Sequence, residues 1–175
     1  MNISPISRQH GAVLIISLVI LITLTGVGVS VMNNSLVEEK IANNQRDMDT
    51  ALQAAEVAMK AAEDRILDTA NPLTWDSFDP TVNPGLYPEQ APGSDEIWRL
   101  KATWNGSGSV VVNPSVQAQG YYENPRYIIE RIGEIEEGPS MTERRMIKML
   151  RITAKGSGTS EKSSVFLQGH YRWEN

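Results

Sequence analysis

The chain begins with a long run of apolar positions that follows a short leader. Residues 12–32 carry no charged side chain, and the leader ends at His10-Gly11. About 20 helical residues are enough to cross the ~30 Å hydrocarbon layer of a bilayer. The pattern therefore predicts a transmembrane segment over residues 12–32, and we expect the chain to be anchored in a membrane.

Apolar positions continue beyond this segment at helical spacing. Successive members are separated by four, seven, four, three, four, three and four residues, which keeps them on one face of a helix. They are Val37, Ile41, Met48, Leu52, Ala55, Met59, Ala62 and Ile66. The pattern predicts one continuous helix from Ala12 to about Leu67, with an amphipathic half that we assign to residues 33–69.

The second half of this helix is rich in alanine, which favours helix formation and permits the close approach of another element. The alanines are Ala51, Ala54, Ala55, Ala58, Ala61 and Ala62. From Leu52 onward we expect the helix to cover the apolar face of its own domain. Residues 12 to about 44 lie out of reach of that domain, so we expect them to contact lipid first and then the helices of neighbouring copies.

A proline-rich segment, residues 70–96, follows the helix. Its five prolines and two glycines exclude a continuous helix or a central strand, so we predict a loop. Aromatic side chains here, and in the second proline-bearing stretch at 113–126, are costly to leave in water. Either these loops pack on their own domain, which we favour, or they present a surface to a partner. The candidate partner surface comprises Trp75, Phe78, Tyr87, Tyr121 and Tyr122.

Residues 97–175 alternate between apolar and polar positions, which predicts a β-sheet domain. We expect strands at Trp98–Trp104, Val110–Val112, Tyr127–Ile135, Met146–Lys155 and Val165–Trp173. A turn at Asn105-Gly106 would join the first two strands, and residues 156–164 would join the last two as a hairpin. Short connections favour antiparallel order. The predicted fold class is α+β, with a long N-terminal helix packed against a small antiparallel sheet.

Composition and charge narrow the function. At 175 residues the chain leaves room for one small domain beyond the helix. A net charge of −5 without a long basic run argues against a nucleic-acid partner. With no cysteine, this domain must be held by packing and strand pairing. Arg8 precedes the apolar run and Glu38 and Glu39 follow it, which favours an N-inside, C-outside orientation.

Catalytic chemistry is poorly represented. His10 lies in the leader, and His170 falls on a predicted strand, where a solvated side chain is expected. The pair Glu136-Glu137 precedes Gly138-Pro139 and marks a turn. We find no spacing typical of a zinc or calcium site, no phosphate-binding loop and no nucleophile motif. We therefore expect no enzymatic activity, no metal and no cofactor.

The N-terminal half resembles the PilX-type minor pilins of the bacterial type IV pilus. The resemblance covers residues 8–65 and rests on the junction Gly11-Ala12-Val13-Leu14-Ile15 together with two runs, Glu38–Asp47 and Gln53–Glu63. The C-terminal runs Ile152–Gly156 and Val165–Gly169 add to it with lower specificity. Residues 70–125 match nothing that we know. The resemblance implies a pilin-like fold.

The resemblance also implies how the chain matures and what it meets. A prepilin peptidase would cleave after Gly11 and methylate the new amine of Ala12, which makes the chain a substrate of that enzyme. The mature protein would wait in the inner membrane and then enter the pilus. Its partners would be other minor pilins, the major pilin and, as a further candidate, a tip adhesin. A conventional secretory signal, cut near Val29–Val31, is the alternative.

One position departs from the family pattern. Many pilins carry a glutamate at the fifth mature position, whereas this chain has Ile16. We therefore expect a helix assembly face formed by Ile16, Val37, Ile41, Met48 and Leu52, and a role in starting pilus assembly in a tip or priming complex. Two alternatives stay open, an adhesive pilus subunit and a pseudopilin of a type II secretion system. Cell adhesion and twitching motility are the processes that such a pilus would serve.

Overall fold

A computed structural model describes residues 10–112, 120–137 and 145–173, and its contacts divide the chain into two compact units, 1–44 and 45–175. The first element is a helix of 57 residues, α1 (His10–Ile66). The predicted continuous helix is thus confirmed, and it ends one residue before the expected Leu67. Asp68 stops it, because its carboxylate accepts the backbone N–H groups of Ala70 and Asn71 in a turn.

The described part of the second unit contains a five-stranded sheet. Its strands are β1 (Leu86–Tyr87), β2 (Val110–Val111), β3 (Arg126–Glu137), β4 (Arg145–Ser157) and β5 (Ser164–Trp173). Their order is β1-β3-β4-β5, and β2 also pairs with β3. The four strands predicted at 110–112, 127–135, 146–155 and 165–173 are confirmed, and β4 and β5 pair through the expected hairpin.

The prediction of a purely antiparallel sheet is wrong for one strand. β1 pairs parallel with β3, with Leu86 opposite Ile129, so the sheet is mixed. β1 comes from the proline-rich segment, which is otherwise irregular as predicted. The side chain of Leu86 is buried in the core, and this brings two residues into pairing. Pro84 and Pro88 flank them, and prolines at these positions keep the pairing short.

The predicted strand at Trp98–Trp104 is also wrong. The chain forms a 3-10 turn at Ile97–Arg99 and a short helix, α2 (Lys101–Trp104). The hydroxyl of Thr103 donates to the carbonyl of Ile97 at 2.7 Å, and Nε1 of Trp104 donates to the carbonyl of Trp98 at 2.7 Å. These local bonds compete with a strand ladder. Consequently β2 pairs with β3 and not with this segment.

The sheet packs apolar side chains on both of its faces. One face contacts the end of α1 through the main core, whose buried members are Ala58, Ala62, Ile66, Leu73, Phe78, Leu86, Tyr127, Ile129, Leu150, Ile152, Ala154 and Trp173. On β3, the alternate residue Ile128 packs with Ile97 and Trp104 in a second cluster. Phe166 of β5 extends this cluster, with its ring 5.2 Å from that of Trp104. The misassigned segment therefore covers the second face of the sheet.

A buried ion pair lies on the same side as Ile128. Glu130 of β3 is 1% exposed, and its two carboxylate oxygens accept hydrogen bonds from Nε and Nη2 of Arg151 on β4 at 3.0 and 3.1 Å. Glu96, which precedes the covering segment, lies 3.7 Å from the same guanidinium. The hydrogen bonds to Glu130 raise the pKa of Arg151 above its ordinary value. The pair fixes the register of two neighbouring strands with a geometry that both groups satisfy.

The helix and the sheet approach each other closely at the C-terminal end of β4. A Cβ atom on Gly156 would collide with the backbone oxygen of Ala51 and the backbone nitrogen of Ala55. Ala51, Ala54 and Ala55 are fully buried at this contact. The alanine-rich half of α1 therefore does what its composition predicts, since small residues on both sides let the two backbones meet.

We predict that Gly156→Ala destabilises the second unit by about 3 kcal/mol, because the added methyl group would press on helix backbone that has no room to move. Gly169→Ala is the matched control. It also lies in a strand, but its Cβ would meet only the flexible side chain of Met59, at 3.7 Å. Urea unfolding of the full chain in detergent micelles measures both, and equal midpoints for the two variants would contradict the close approach.

Candidate functional site on the helix and the loops

A series of large apolar side chains on α1 is exposed in both units. In the first unit these are Ile16, Val37 and Ile41, and in the second they are Met48 and Leu52, with exposed fractions between 38% and 59%. Single exposed apolar residues are ordinary, but a series along one element is typical of an interaction surface. The sequence predicts an assembly face at these five residues, and their part in assembly stays a prediction.

The buried apolar positions of α1 in the second unit are alanines from Ala51 to Ala62, followed by Ile66. Met48 and Leu52 stay exposed. Successive side chains of a helix point about 100° apart, so the side chain of Leu52 points away from the contact of Ala51 with β4. The expectation that the helix covers its own domain from Leu52 onward is confirmed, with packing beginning one residue earlier at Ala51, while the side chain of Leu52 itself stays exposed. Large side chains remain for contacts outside the chain.

Polar side chains in the apolar segment of α1 form hydrogen bonds within the helix. α1 contains a segment long and apolar enough to cross a membrane, and that segment is exposed throughout. Within it, the hydroxyls of Ser17, Thr23 and Thr25 donate to backbone carbonyls three or four residues earlier, at 2.7–2.9 Å. In hydrocarbon an unpaired hydroxyl is costly, so these bonds fit a lipid environment.

The residues of the predicted processing junction lie at the start of this helix. α1 begins at His10, which places Gly11 and Ala12 in its first turn, while residues 1–9 of the leader lie outside the described residues. His170 is an exposed residue of β5. Within the ranges 10–112, 120–137 and 145–173, no three histidine, aspartate or glutamate side chains gather in a way that could hold a metal ion.

The aromatic residues of the proline-rich segment pack on their own chain. Phe78 is 4% exposed and belongs to the main core. Trp75 is half-buried and stacks on Trp173, with ring centroids 5.5 Å apart. Tyr87 is half-buried, and its hydroxyl donates to the carbonyl of Gly108 at 2.7 Å. The structure thus favours the interpretation that this loop folds back on its domain.

Two cations complete the aromatic cluster at the end of the sheet. The guanidinium of Arg131 lies 4.7 Å from the ring centre of Trp75, and the ammonium of Lys148 lies 5.2 Å from it. Nη1 of Arg131 also donates to the carbonyl of Trp75 at 2.8 Å. Cation–π contacts of this kind contribute about 0.5–1 kcal/mol each at exposed sites. They fasten the loop to β3 and β4.

The second pair of aromatic residues divides between core and surface. Tyr121 is buried, whereas Tyr122 is 51% exposed. The backbone N–H of Tyr122 donates to the carbonyl of Gly158 at 2.7 Å, so the segment lies beside the end of β4. Of the five aromatic residues proposed as a partner surface, Tyr122 is thus the one with a mostly exposed side chain.

A long N-terminal helix with an exposed apolar segment, packed through its C-terminal part on a small sheet, is the architecture of a pilin-like protein. Family comparison specifies the class further, because the model "PilX N-terminal" matches residues 10–60 and the model "Type IV pilus assembly protein PilX C-term" matches residues 39–173. The chain belongs to the PilX family and is a minor pilin of type IV pilus assembly. Comparisons with curated proteins and with solved structures returned no significant match.

Family membership fits the structure of the helix. An N-terminal apolar helix of this kind is compatible with a single-pass pilin of the inner membrane. The resemblance seen in the sequence is therefore confirmed, and it extends through residues 70–125, which sequence reasoning could not place. Sequence reasoning also missed two polar positions that organise the second unit, Glu130 and Asp47. A charge inside an apolar strand could have indicated the first.

We predict that Phe78→Ala destabilises the second unit by about 3–5 kcal/mol, because it removes a buried ring from the main core. Tyr122→Ala is the control, with an expected change within about 0.5 kcal/mol, since its side chain is mostly exposed. Thermal unfolding of the full chain in micelles measures both. A small effect of Phe78→Ala would instead support the interpretation that the proline-rich segment presents a surface to a partner.

Proposed function

We propose that this minor pilin acts at the start of pilus assembly, within a tip or priming complex that it forms with other minor pilins. The observation that carries this proposal is the exposed helix face, Ile16, Val37, Ile41, Met48 and Leu52. Removing a large apolar side chain from water stabilises an assembly by about 1.5–3 kcal/mol, and this applies to Val37, Ile41, Met48 and Leu52, which follow the apolar segment 12–32. Ile16 leaves lipid, not water, so its contact with a neighbouring helix depends on close packing. Helices of neighbouring subunits are the occupants that fit both environments.

Maturation prepares this helix for assembly. In the proposed sequence of events, prepilin peptidase removes residues 1–11 and methylates the amine of Ala12. The subunit then stays in the inner membrane, with its C-terminal unit in the periplasm, until it enters the pilus. Mass analysis of the mature protein from strains with and without the peptidase tests this step. A mature N-terminus downstream of residues 14–24 would contradict the whole proposal.

The fifth mature position gives the proposed location. In pilins with glutamate there, the carboxylate is thought to pair with the terminal amine of the adjoining subunit, and two buried charges are less costly together than apart. Ile16 provides no such carboxylate. A missing carboxylate is tolerated best at a site where the neighbouring subunit that would pair with it is also missing. The end of the fibre is such a site.

We predict that Ile16→Glu redistributes the subunit from the tip along the fibre, because the restored carboxylate would suit an interior position. Immunogold labelling of a tagged subunit on sheared fibres measures the distribution. Ile15→Glu is the matched control, since it adds the same charge one residue away and on another side of the helix. Unchanged tip labelling and unchanged piliation with Ile16→Glu would count against the proposed location.

A deletion strain tests the function itself. Loss of surface pili, restored by the wild-type chain, is the expected result, because a missing initiator leaves the major pilin in the membrane. Normal piliation with lost adherence would replace this proposal with a direct binding role. A secretion defect with normal pili would indicate a pseudopilin of a type II secretion system.

A further inference from the structure

A single carboxylate on α1 is enclosed by the turn that joins β4 and β5. Oδ1 of Asp47 accepts the backbone N–H of Thr159 at 2.5 Å, the hydroxyl of Thr159 at 2.8 Å and the backbone N–H of Ser160 at 3.3 Å. Oδ2 accepts the hydroxyl of Ser160 at 2.5 Å. The side chain of Ser163 donates as well. A carboxylate with this many donors is strongly held, because each bond is assisted by its charge.

The turn, residues 158–163, is shaped around this carboxylate. A Cβ atom on Gly158 would collide with the side chain and the backbone oxygen of Asp47, so only glycine fits there. The N–H of Gly158 donates to the carbonyl of Ser163 at 2.9 Å and closes the turn. The backbone N–H of Tyr122 donates to the carbonyl of Gly158. The turn is therefore closed by its own hydrogen bonds where it contacts α1.

The hydrogen bonds around Asp47 favour its ionised form. Hydrogen bonds from the side chains of Ser160, Ser163 and Thr159, in that order of importance, hold the pKa of Asp47 well below its usual range. The carboxylate therefore stays ionised at any pH at which the protein works, and the bonds keep their charge assistance.

Asp47 lies close to the start of the second unit. Asp47 lies three residues beyond Asn44, where the first compact unit ends. Among the described residues, it is the first in α1 whose side chain hydrogen-bonds to another element. The following contacts, at Ala51, Ala54 and Ala55, are apolar. Apolar packing is non-directional and resists sliding weakly, whereas hydrogen bonds depend on distance and angle.

We propose that Asp47 and the 158–163 turn form a mechanical latch, which passes tension on α1 to the β4–β5 hairpin when the subunit is drawn out of the bilayer. The purpose that we give to the latch rests on the proposed function in assembly. Whether the latch exists can be tested independently of that function. Without the latch, tension from the N-terminal side would reach the alanine contact first, which has no directed hydrogen bonds from side chains. The hairpin that carries the C-terminal edge of the sheet would then separate from the helix.

The first experiment measures the latch in the full chain in detergent micelles. Force spectroscopy with one handle on α1 near residue 36 and the other after residue 173 applies tension along the proposed path. Asp47→Ala is expected to lower the force at which the second unit opens, and to speed amide exchange at Thr159 and Ser160 by about tenfold or more. Asp49→Ala is the matched control, an exposed aspartate two residues away.

Two further variants keep the result decisive. Should Asp47→Ala fail to fold, Ser160→Ala removes a donor from the turn side and is expected to lower the force in the same direction. The pair Asp47→Cys with Ser160→Cys replaces the latch by a covalent bond, which is unique because the chain has no cysteine of its own. Its opening force is expected to be high when oxidised and low when reduced. Equal forces for the Asp47 and Asp49 variants would overturn the proposal.

Piliation separates the latch from the proposed function. In a strain where deletion abolishes pili, Asp47→Ala is expected to reduce pili, while Asp49→Ala restores them fully. A lowered opening force with normal piliation would overturn the use of the latch in assembly. Normal piliation in the deletion strain would instead refute the proposed function, and the force measurement would still decide whether the latch exists.

Discussion

The contact between the backbone of α1 and the end of β4 is the constraint on which the rest of the second unit depends. Gly156 leaves no space for a side chain against Ala51 and Ala55. With the helix and strand this close, Ile129, Leu150 and Ile152 can form a core with the alanines of α1. A small domain without disulfide bonds has little apolar area to bury, so close packing of backbone on backbone is one of the few ways to hold helix and sheet together.

The core is completed by segments that are not regular structure. The proline-rich segment contributes Leu73, Phe78 and Leu86 to the face of the sheet that contacts the helix. The segment at 97–104 covers the other face through Ile97 and Trp104. The loops therefore serve the same purpose as a second helix would in a larger domain. This explains why most of the aromatic residues that look suited to a partner are occupied within the chain.

Sequence patterns predicted the long elements and failed at the short ones. The helix and β3, β4 and β5 follow from periods of 3.6 and 2, because each covers ten residues or more. The alternation at 98–104 is equally regular, yet the side-chain bonds of Thr103 and Trp104 and burial against Ile128 stabilise turns instead. β1 is two residues long and is fixed by a parallel neighbour that no local pattern reveals.

The candidate site was predictable to the same extent. Ile16, Val37 and Ile41 are exposed within the first unit, as expected from the length and hydropathy of the helix there. The enclosure of Asp47 could not be predicted, because Ser and Thr turns are common and the partner lies more than 110 residues away in the sequence. Glu130 and Arg151 sit opposite each other only once the register of β3 and β4 is known.

The division of apolar residues on α1 connects stability with assembly. Between residues 51 and 62 the buried positions of α1 are alanines, each of which buries little area, and Ile66 adds one large side chain to the core. Val37, Ile41, Met48 and Leu52 are 38–56% exposed, so covering the rest of each side chain is worth about half of the 1.5–3 kcal/mol that full burial gives. A helix that used its large side chains inside the chain would fold more stably but would have little left to offer a neighbour. Asp47, at the edge of the alanine contact, then adds directed hydrogen bonds to the close packing of these small residues.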